Sequence, residues 1–243
     1  MDLDGRVALV TGGARRVGRA IAERLARAGC RLAVHYHNSE TEARDTVLAC
    51  EAAGREAAAF GADLADGEAT RGLIPAVLKR YGRLDILVNN AAVFEPMSLD
   101  DFDAGDWDRQ LRINLTAPMV LAHAARQSLR AAHGRIVNIL DAGTSRPWAG
   151  HLAYCVSKGA MGTLTKAMAK AFAPEVNVTG IAPGIVDWPE EYSPERRARL
   201  IESVPLGRAG SASDVAAAVH FLAAEADYVT GAILSIDGGR QIA

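Results

Sequence analysis

The chain has no surplus of charge of either sign: 27 Lys and Arg stand against 29 Asp and Glu, a formal net charge of −2. That balance leaves no electrostatic footprint for nucleic acid, and none is expected as a partner. Cysteine is scarce. Cys30, Cys50 and Cys155 match no metal-ligand spacing and cannot complete an even-numbered disulfide framework, so reduced thiols in a cytoplasmic protein are expected. The six histidines show no His-Glu-x-x-His or comparable spacing, and no metal is expected; His37 alone is reserved for a ligand phosphate. No apolar run is long enough for a membrane helix, and the first residues carry no charged-then-apolar leader pattern. Repeats, low-complexity tracts and long linkers are missing as well.

What the chain does have is material for one core: 49% of its 243 residues are hydrophobic, which suits a single α/β domain. Strand-like runs lie at Arg6 to Thr11, Arg31 to Tyr36, Ala57 to Phe60, Ile86 to Val88, Gly134 to Leu140, Asn177 to Ile181 and Ala232 to Ile236. Helical stretches separate them, Asp106 to Leu129 and Leu152 to Phe172 being the longest. That alternation implies right-handed crossovers and a doubly wound parallel sheet with helices on both faces. After Pro183-Gly184, the polar, proline-bearing stretch from Trp188 to Pro205 is a candidate substrate lid.

The first strand runs into Gly12-Gly13-Ala14-Arg15-Arg16-Val17-Gly18, followed by small and apolar residues at helical spacing. Strand, glycine turn and helix in that order make a Rossmann-type phosphate-binding unit. The glycines let backbone approach a pyrophosphate, and the helix N-terminus offers free N–H groups and a positive dipole. Arg16 stands where related sequences carry a middle glycine. An NAD-selective site places an acid at the end of the second strand; here His35, Tyr36, His37, Asn38 and Ser39 precede the first acid, Glu40. A missing carboxylate, a serine hydroxyl and two loop arginines fit a 2′-phosphate, hence NADPH/NADP+.

Farther along, Tyr154 and Lys158 form a Tyr-x-x-x-Lys frame, with Asp141 thirteen positions before the tyrosine. Residues four apart share a helix face, so phenol and ammonium point the same way. A free phenol has a pKa of about 10, and a neighbouring ammonium is expected to lower it, making a usable acid.

With glycine loop and Tyr-x-x-x-Lys in place, the whole chain resembles the short-chain dehydrogenase/reductase family. The resemblance implies further roles. Asn89-Asn90-Ala91 matches the family's turn after the fourth strand, and Asp63 and Leu64 the segment touching adenine. Asn114 matches the asparagine that holds a proton-relay water near the catalytic lysine, which here is Lys158. Pro183-Gly184, with Ile185 after it, matches the turn beside the nicotinamide amide, and Asp237-Gly238-Gly239 the C-terminal motif. The family usually assembles through its long helices, which implies a homotetramer.

The family normally has serine where this chain has Asp141, and that departure resembles the pteridine reductase branch. Arg16, the run His35 to Ser39, and Phe94 shortly after Asn-Asn-Ala point the same way; in that branch the aromatic stacks on the pterin opposite the nicotinamide. Asn38, where some members are basic, and Ala91-Ala92-Val93, which lacks a serine, depart from it. Physics favours the aspartate for a pterin. A carboxylate would repel the alkoxide developing on a ketone, whereas the amino and N–H groups of a pterin are donors that need an acceptor. The expectation is an NADPH-dependent reductase of dihydropterin or dihydrofolate. Asp141, Tyr154, Lys158 and Asn114 would be catalytic, and Phe94, Asp141, Tyr154 and Trp188 would meet substrate; Trp148 either lines or merely covers the pocket. Two readings stay open beside it: a 3-oxoacyl thioester reductase using Ser145 or Thr144 through a loop shift, and a non-catalytic NADPH-binding sensor.

Overall fold

Alternate residues of the first apolar run face opposite ways. Val7 and Leu9 enter one hydrophobic cluster, Ala8 and Val10 another, and all four are fully buried. A side-chain period of two with both faces apolar marks a strand covered on both sides. The computed structural model describes residues 1–188 and 192–243, and the alternation recurs through it.

The elements follow in the order β1 (Val7–Val10), α1 (Arg16–Arg27), β2 (Arg31–Tyr36), α2 (Glu40–Ala52), β3 (Ala57–Gly61) and α3 (Gly67–Tyr81). Next come β4 (Ile86–Asn89), α4 (Ala104–Leu111), a π-turn (Arg112–Thr116), α5 (Ala117–Ala132), β5 (Arg135–Ile139) and α6 (Leu152–Phe172). The chain ends through β6 (Asn177–Pro183), α7 (Pro194–Glu202), α8 (Ala212–Ala224) and β7 (Ile233–Ile236). Sequence periodicity implied one helix over Asp106 to Leu129. The chain is helical throughout that stretch, with the π-turn set inside it between α4 and α5.

The strands lie in the order β3-β2-β1-β4-β5-β6-β7, every pair parallel. One face packs on α1 and α8 through Ile21, Leu25, Val215 and Val219. The other packs on α3, α5 and α6 through Ile74, Leu121, Leu129 and Phe172. Removing one such buried leucine side chain costs about 2–5 kcal/mol. Strand order reverses between β1 and β4, which opens a crevice beyond their C-terminal ends. At the opposite end, buried Asp85 accepts from Arg6 Nη1 at 2.8 Å, Arg83 Nε at 2.8 Å and the Val7 N–H at 2.9 Å. Burial works to raise its pKa, but these donors hold it below the ordinary carboxylate range.

The helix α7 fills part of the candidate lid, whose residues 189–191 lie outside the described residues. Among the described residues no helix is long and apolar enough to cross a membrane, and no group of side chains has the makings of a metal site.

Candidate active site

The turn between β1 and α1 is held from three sides. Gly18 presses α1 onto it so closely that a Cβ there would lie 2.0 Å from the Gly12 carbonyl oxygen, so only glycine fits. From the β4 side, Asn90 Nδ2 donates to the carbonyls of Thr11 at 2.9 Å and Gly12 at 3.1 Å. Thr11 Oγ1 in return accepts the backbone N–H groups of Asn90 and Ala91 at 2.9 and 3.0 Å. From β2, His35 Nδ1 accepts the Gly12 N–H at 3.1 Å while Nε2 donates to the Ala62 carbonyl at 3.0 Å. Burial pushes its pKa down to about 4, so the ring stays neutral in the Nε2–H tautomer that these partners require. His35, expected as a ligand contact, thus also braces the loop from beneath.

Around this loop lies a cleft of about 500 Å³. Gly12 and residues 15–18 line it, with His35 to Ser39 at the end of β2 and beyond, Asp63 and Leu64 after β3, Asn90 and Ala91 after β4, and Tyr154 of α6. A nucleotide-sized cleft floored by a glycine turn and a helix N-terminus fits a dinucleotide phosphate. Ser39 stands at the N-cap of α2 without spending its hydroxyl on the cap. His37 Nε2 lies 3.7 Å from Asp63 Oδ2, and Arg15 Nη1 lies 4.0 Å from Glu42 Oε1, both loose pairs at the surface. Arg16 has a left-handed backbone, at φ +51°, and its Nε pairs with Asp187 Oδ2 at 3.0 Å.

Pro183, Gly184 and Ile185 do not line this cleft. Gly184 N–H donates to Ile236 O at 2.9 Å, binding the turn to β7, and Ile185 faces a second cavity of about 490 Å³ beside Val204 and Asp237.

The second group of predicted residues converges at the C-terminal end of β5. Tyr154 Oη donates to Asp141 Oδ2 at 2.7 Å, and Asp141 Oδ1 accepts the Gly143 N–H at 2.6 Å. Thr144 Oγ1 turns back to the Asp141 carbonyl at 2.8 Å and Ser145 Oγ to the Ala142 carbonyl at 2.9 Å. The loop shift that would bring either hydroxyl to the tyrosine has therefore not occurred. Lys158, buried, donates to the Ile139 carbonyl at 2.7 Å.

These contacts correct the expected electrostatics. Lys158 does not lower the tyrosine pKa here. Burial first, then the charge and hydrogen bond of Asp141, hold Tyr154 well above its ordinary value. Burial pushes Lys158 down to about 8 against the pull of Asp141. It also raises Asp141, although Tyr154, the Gly143 N–H, Lys158 and Arg240 oppose it. The pair is a protonated phenol beside a carboxylate of increased proton affinity.

Asn114 sits in the π-turn, fully enclosed. Its Oδ1 accepts from the Val93 N–H at 2.9 Å, and Nδ2 donates to the Val93 carbonyl and Ser157 Oγ, each at 3.0 Å. Its side chain therefore ties the segment after β4 to α6, one turn from Tyr154.

Aromatic rings wall the dyad. Trp148 stacks on Tyr154 with centroids 6.3 Å apart, and Phe94, 42% exposed, meets Tyr154 edge-on at 4.7 Å. Gly143 makes room for this, since a Cβ would come within 2.3 Å of the Trp148 ring. Trp148, not Trp188, is thus the tryptophan at the dyad. Trp188 lies against α7, its ring 5.6 Å from the Arg197 guanidinium in a cation–π contact.

A family model described as enoyl-(acyl carrier protein) reductase matches residues 12–241. The chain belongs to the short-chain dehydrogenase/reductase family. Among its relatives, the 3beta-hydroxysteroid dehydrogenase 1 of Eggerthella lenta is 36% identical over 249 residues, covering 99% of this chain and 95% of that protein. A blue fluorescent protein from a metagenomic library, solved in complex with NADPH, aligns at a TM-score of 0.93 and 36% identity over 99% of each chain. FolM alternative dihydrofolate reductase 1 from Brucella canis, complexed with NADP, aligns at 0.93 and 33% identity, covering 100% of this chain and 96% of that one.

Two residues of this family member escaped sequence reasoning. His151 packs flat on Phe94, centroids 4.2 Å apart and planes within 9°. The signal was available: it lies three residues before Tyr154, at the N-cap of α6. Asp187 had none, because only the fold brings the segment after β6 to the start of α1.

Proposed function

We propose that this chain is an NADPH-dependent reductase of dihydropterins or dihydrofolate. The observation that carries the reading is the 2.7 Å hydrogen bond from Tyr154 to Asp141, a carboxylate where the family normally has a serine hydroxyl. The Brucella canis dihydrofolate reductase among the neighbours supports it.

The residues fit the cofactor. Arg16 and the backbone around Gly12 and Gly18 would hold the pyrophosphate, while Arg15, His37 and Ser39 would meet a 2′-phosphate. Lys158 would hold the nicotinamide ribose. NADPH, when bound, supplies the hydride. Reduction of a C=N bond then adds hydride to carbon and a proton to nitrogen. Tyr154 and Asp141 hold that proton in one hydrogen-bonded pair, and a carboxyl oxygen of Asp141 accepts from the amino and N–H donors of the pterin ring. Phe94 offers a flat apolar face for the ring. Trp148 and Phe94 shield the pair from water, which strengthens its hydrogen bonds. In the same proposal the chain assembles as a tetramer through α5 and α6, where Met119 and Val156 are exposed.

The steroid dehydrogenase relative favours a carbonyl substrate as the second reading. NADPH oxidation, followed at the nicotinamide absorbance with dihydrobiopterin, dihydrofolate and an acetoacetyl thioester, separates the two. Turnover confined to the pterins supports the proposal. Turnover confined to the thioester overturns it, and NADPH binding with no turnover of any substrate would leave a sensor.

A further inference from the structure

Arg16 is an odd choice on local grounds. A non-glycine residue in the left-handed region is strained, and glycine would relieve that strain at φ +51°. The side chain must therefore do something the backbone does not need. It reaches across the mouth of the cleft to Asp187, on the segment between β6 and α7, with Nε 3.0 Å from Oδ2. Asp187 is itself held, since its Oδ1 accepts the Trp188 N–H at 2.9 Å. The two oxygens of one carboxylate thus join a backbone N–H at the lid root to an arginine of the glycine loop.

The closest approach of the pair is at Nε of the guanidinium. Both terminal nitrogens are left as donors, and a planar fork fixed at one edge presents them in a defined direction. We propose that Asp187 is a cofactor-positioning residue: with Arg16 it forms a strap across the cleft that aims the two terminal nitrogens of the arginine at a phosphate oxygen and slows dinucleotide release. This rests on the NADPH reading above. The carboxylate does not cancel the arginine for the ligand, because it takes the edge that the phosphate does not need. Both side chains are about half exposed, 58% and 44%, so the pair opens readily for entry.

The test is the NADPH off-rate, read by displacement of bound NADPH with excess NADP+ and the loss of its fluorescence. An exposed ion pair contributes about 0.2–1 kcal/mol, so Asp187→Ala should release NADPH roughly 1.5- to 5-fold faster. Asp187→Glu should restore most of the lost residence time, and Asp187→Asn should not. Added salt should speed release from the wild type more than from Asp187→Ala. Adding Asp187→Ala to Arg16→Gly should change nothing further, whereas a merely structural role for Asp187 would act equally in both backgrounds. An unchanged off-rate in Asp187→Ala, or an equal effect in the Arg16→Gly background, overturns the strap. Failure of the wild type to bind NADPH at all overturns the functional reading instead.

Discussion

The Tyr154 hydroxyl donates to Asp141 Oδ2 at 2.7 Å, so proton and acceptor form one unit before a substrate arrives. Replacing either partner should have unequal consequences. Tyr154→Phe removes the proton itself and should abolish pterin turnover while leaving NADPH affinity nearly intact. Asp141→Ser keeps the tyrosine but removes the acceptor for the pterin donors. It should lower pterin kcat/KM by roughly 10²–10⁴, the usual worth of positioned acid–base groups. Steady-state kinetics paired with NADPH titration checks both, and unchanged pterin kinetics in Asp141→Ser would reject a role for the carboxylate.

The reduction consumes a proton, so the productive pair carries one on Asp141 as well as on Tyr154. Burial raises Asp141, and the loaded form therefore persists to higher pH than an ordinary aspartate would allow. kcat for a dihydropterin should climb as pH falls through that raised pKa and level off below it. Asp141→Asn should lose this limb. A pH–rate profile of both proteins decides the matter; the same limb in both would assign the titration elsewhere.

His35 sets an acid limit on the protein. Its pKa falls from 6.5 unfolded to about 4 folded, because burial disfavours the imidazolium. The unfolded chain therefore binds the extra proton first, and stability is lost as pH drops from 6.5 towards 4. The full effect is roughly 3 kcal/mol. Denaturant titrations of wild type and His35→Asn across that range should show a slope in the former and a flatter line in the latter. Equal slopes would exonerate this ring.

His151 and Phe94 stack at 4.2 Å, so the imidazole fixes the ring expected to receive the pterin. Such a ring pair is worth about 0.5–1.5 kcal/mol. His151→Ala should raise KM for the pterin roughly 2- to 10-fold with kcat little changed, and His151→Phe should recover it. If kcat falls and KM stays, the histidine acts on the chemistry and not on the platform.

Much of this architecture was legible in the chain. The run Arg31 to Tyr36 is β2 as read, and each of the other six apolar runs overlaps its strand with ends no more than two residues apart. Buried parallel strands announce themselves in this way, since nothing polar interrupts them. The glycine turn and the meeting of Asp141 with Tyr154 were legible because local spacing and strand register together determine them. Other facts depend on packing between distant segments. Trp148 and Trp188 look alike in sequence, and only the close approach to Gly143 puts the first against the dyad. Lys158 and Tyr154 do share a helix face, yet the nearest acceptor for the ammonium is a carbonyl at the end of β5.

The π-turn at Arg112–Thr116 joins two ordinary helices by five residues where a regular turn needs about four. One surplus residue rotates everything before it by about 100° relative to the helix beyond it. The core stripe of α5, through Leu121, Ala125 and Leu129, thereby keeps its own phase while Asn114 faces Val93 and Ser157. Scaffold and site are indexed separately along one continuous rod. Repacking the buried stripe therefore leaves the aim of Asn114 unchanged, whereas removing one residue of the π-turn would swing it away from Val93 and Ser157.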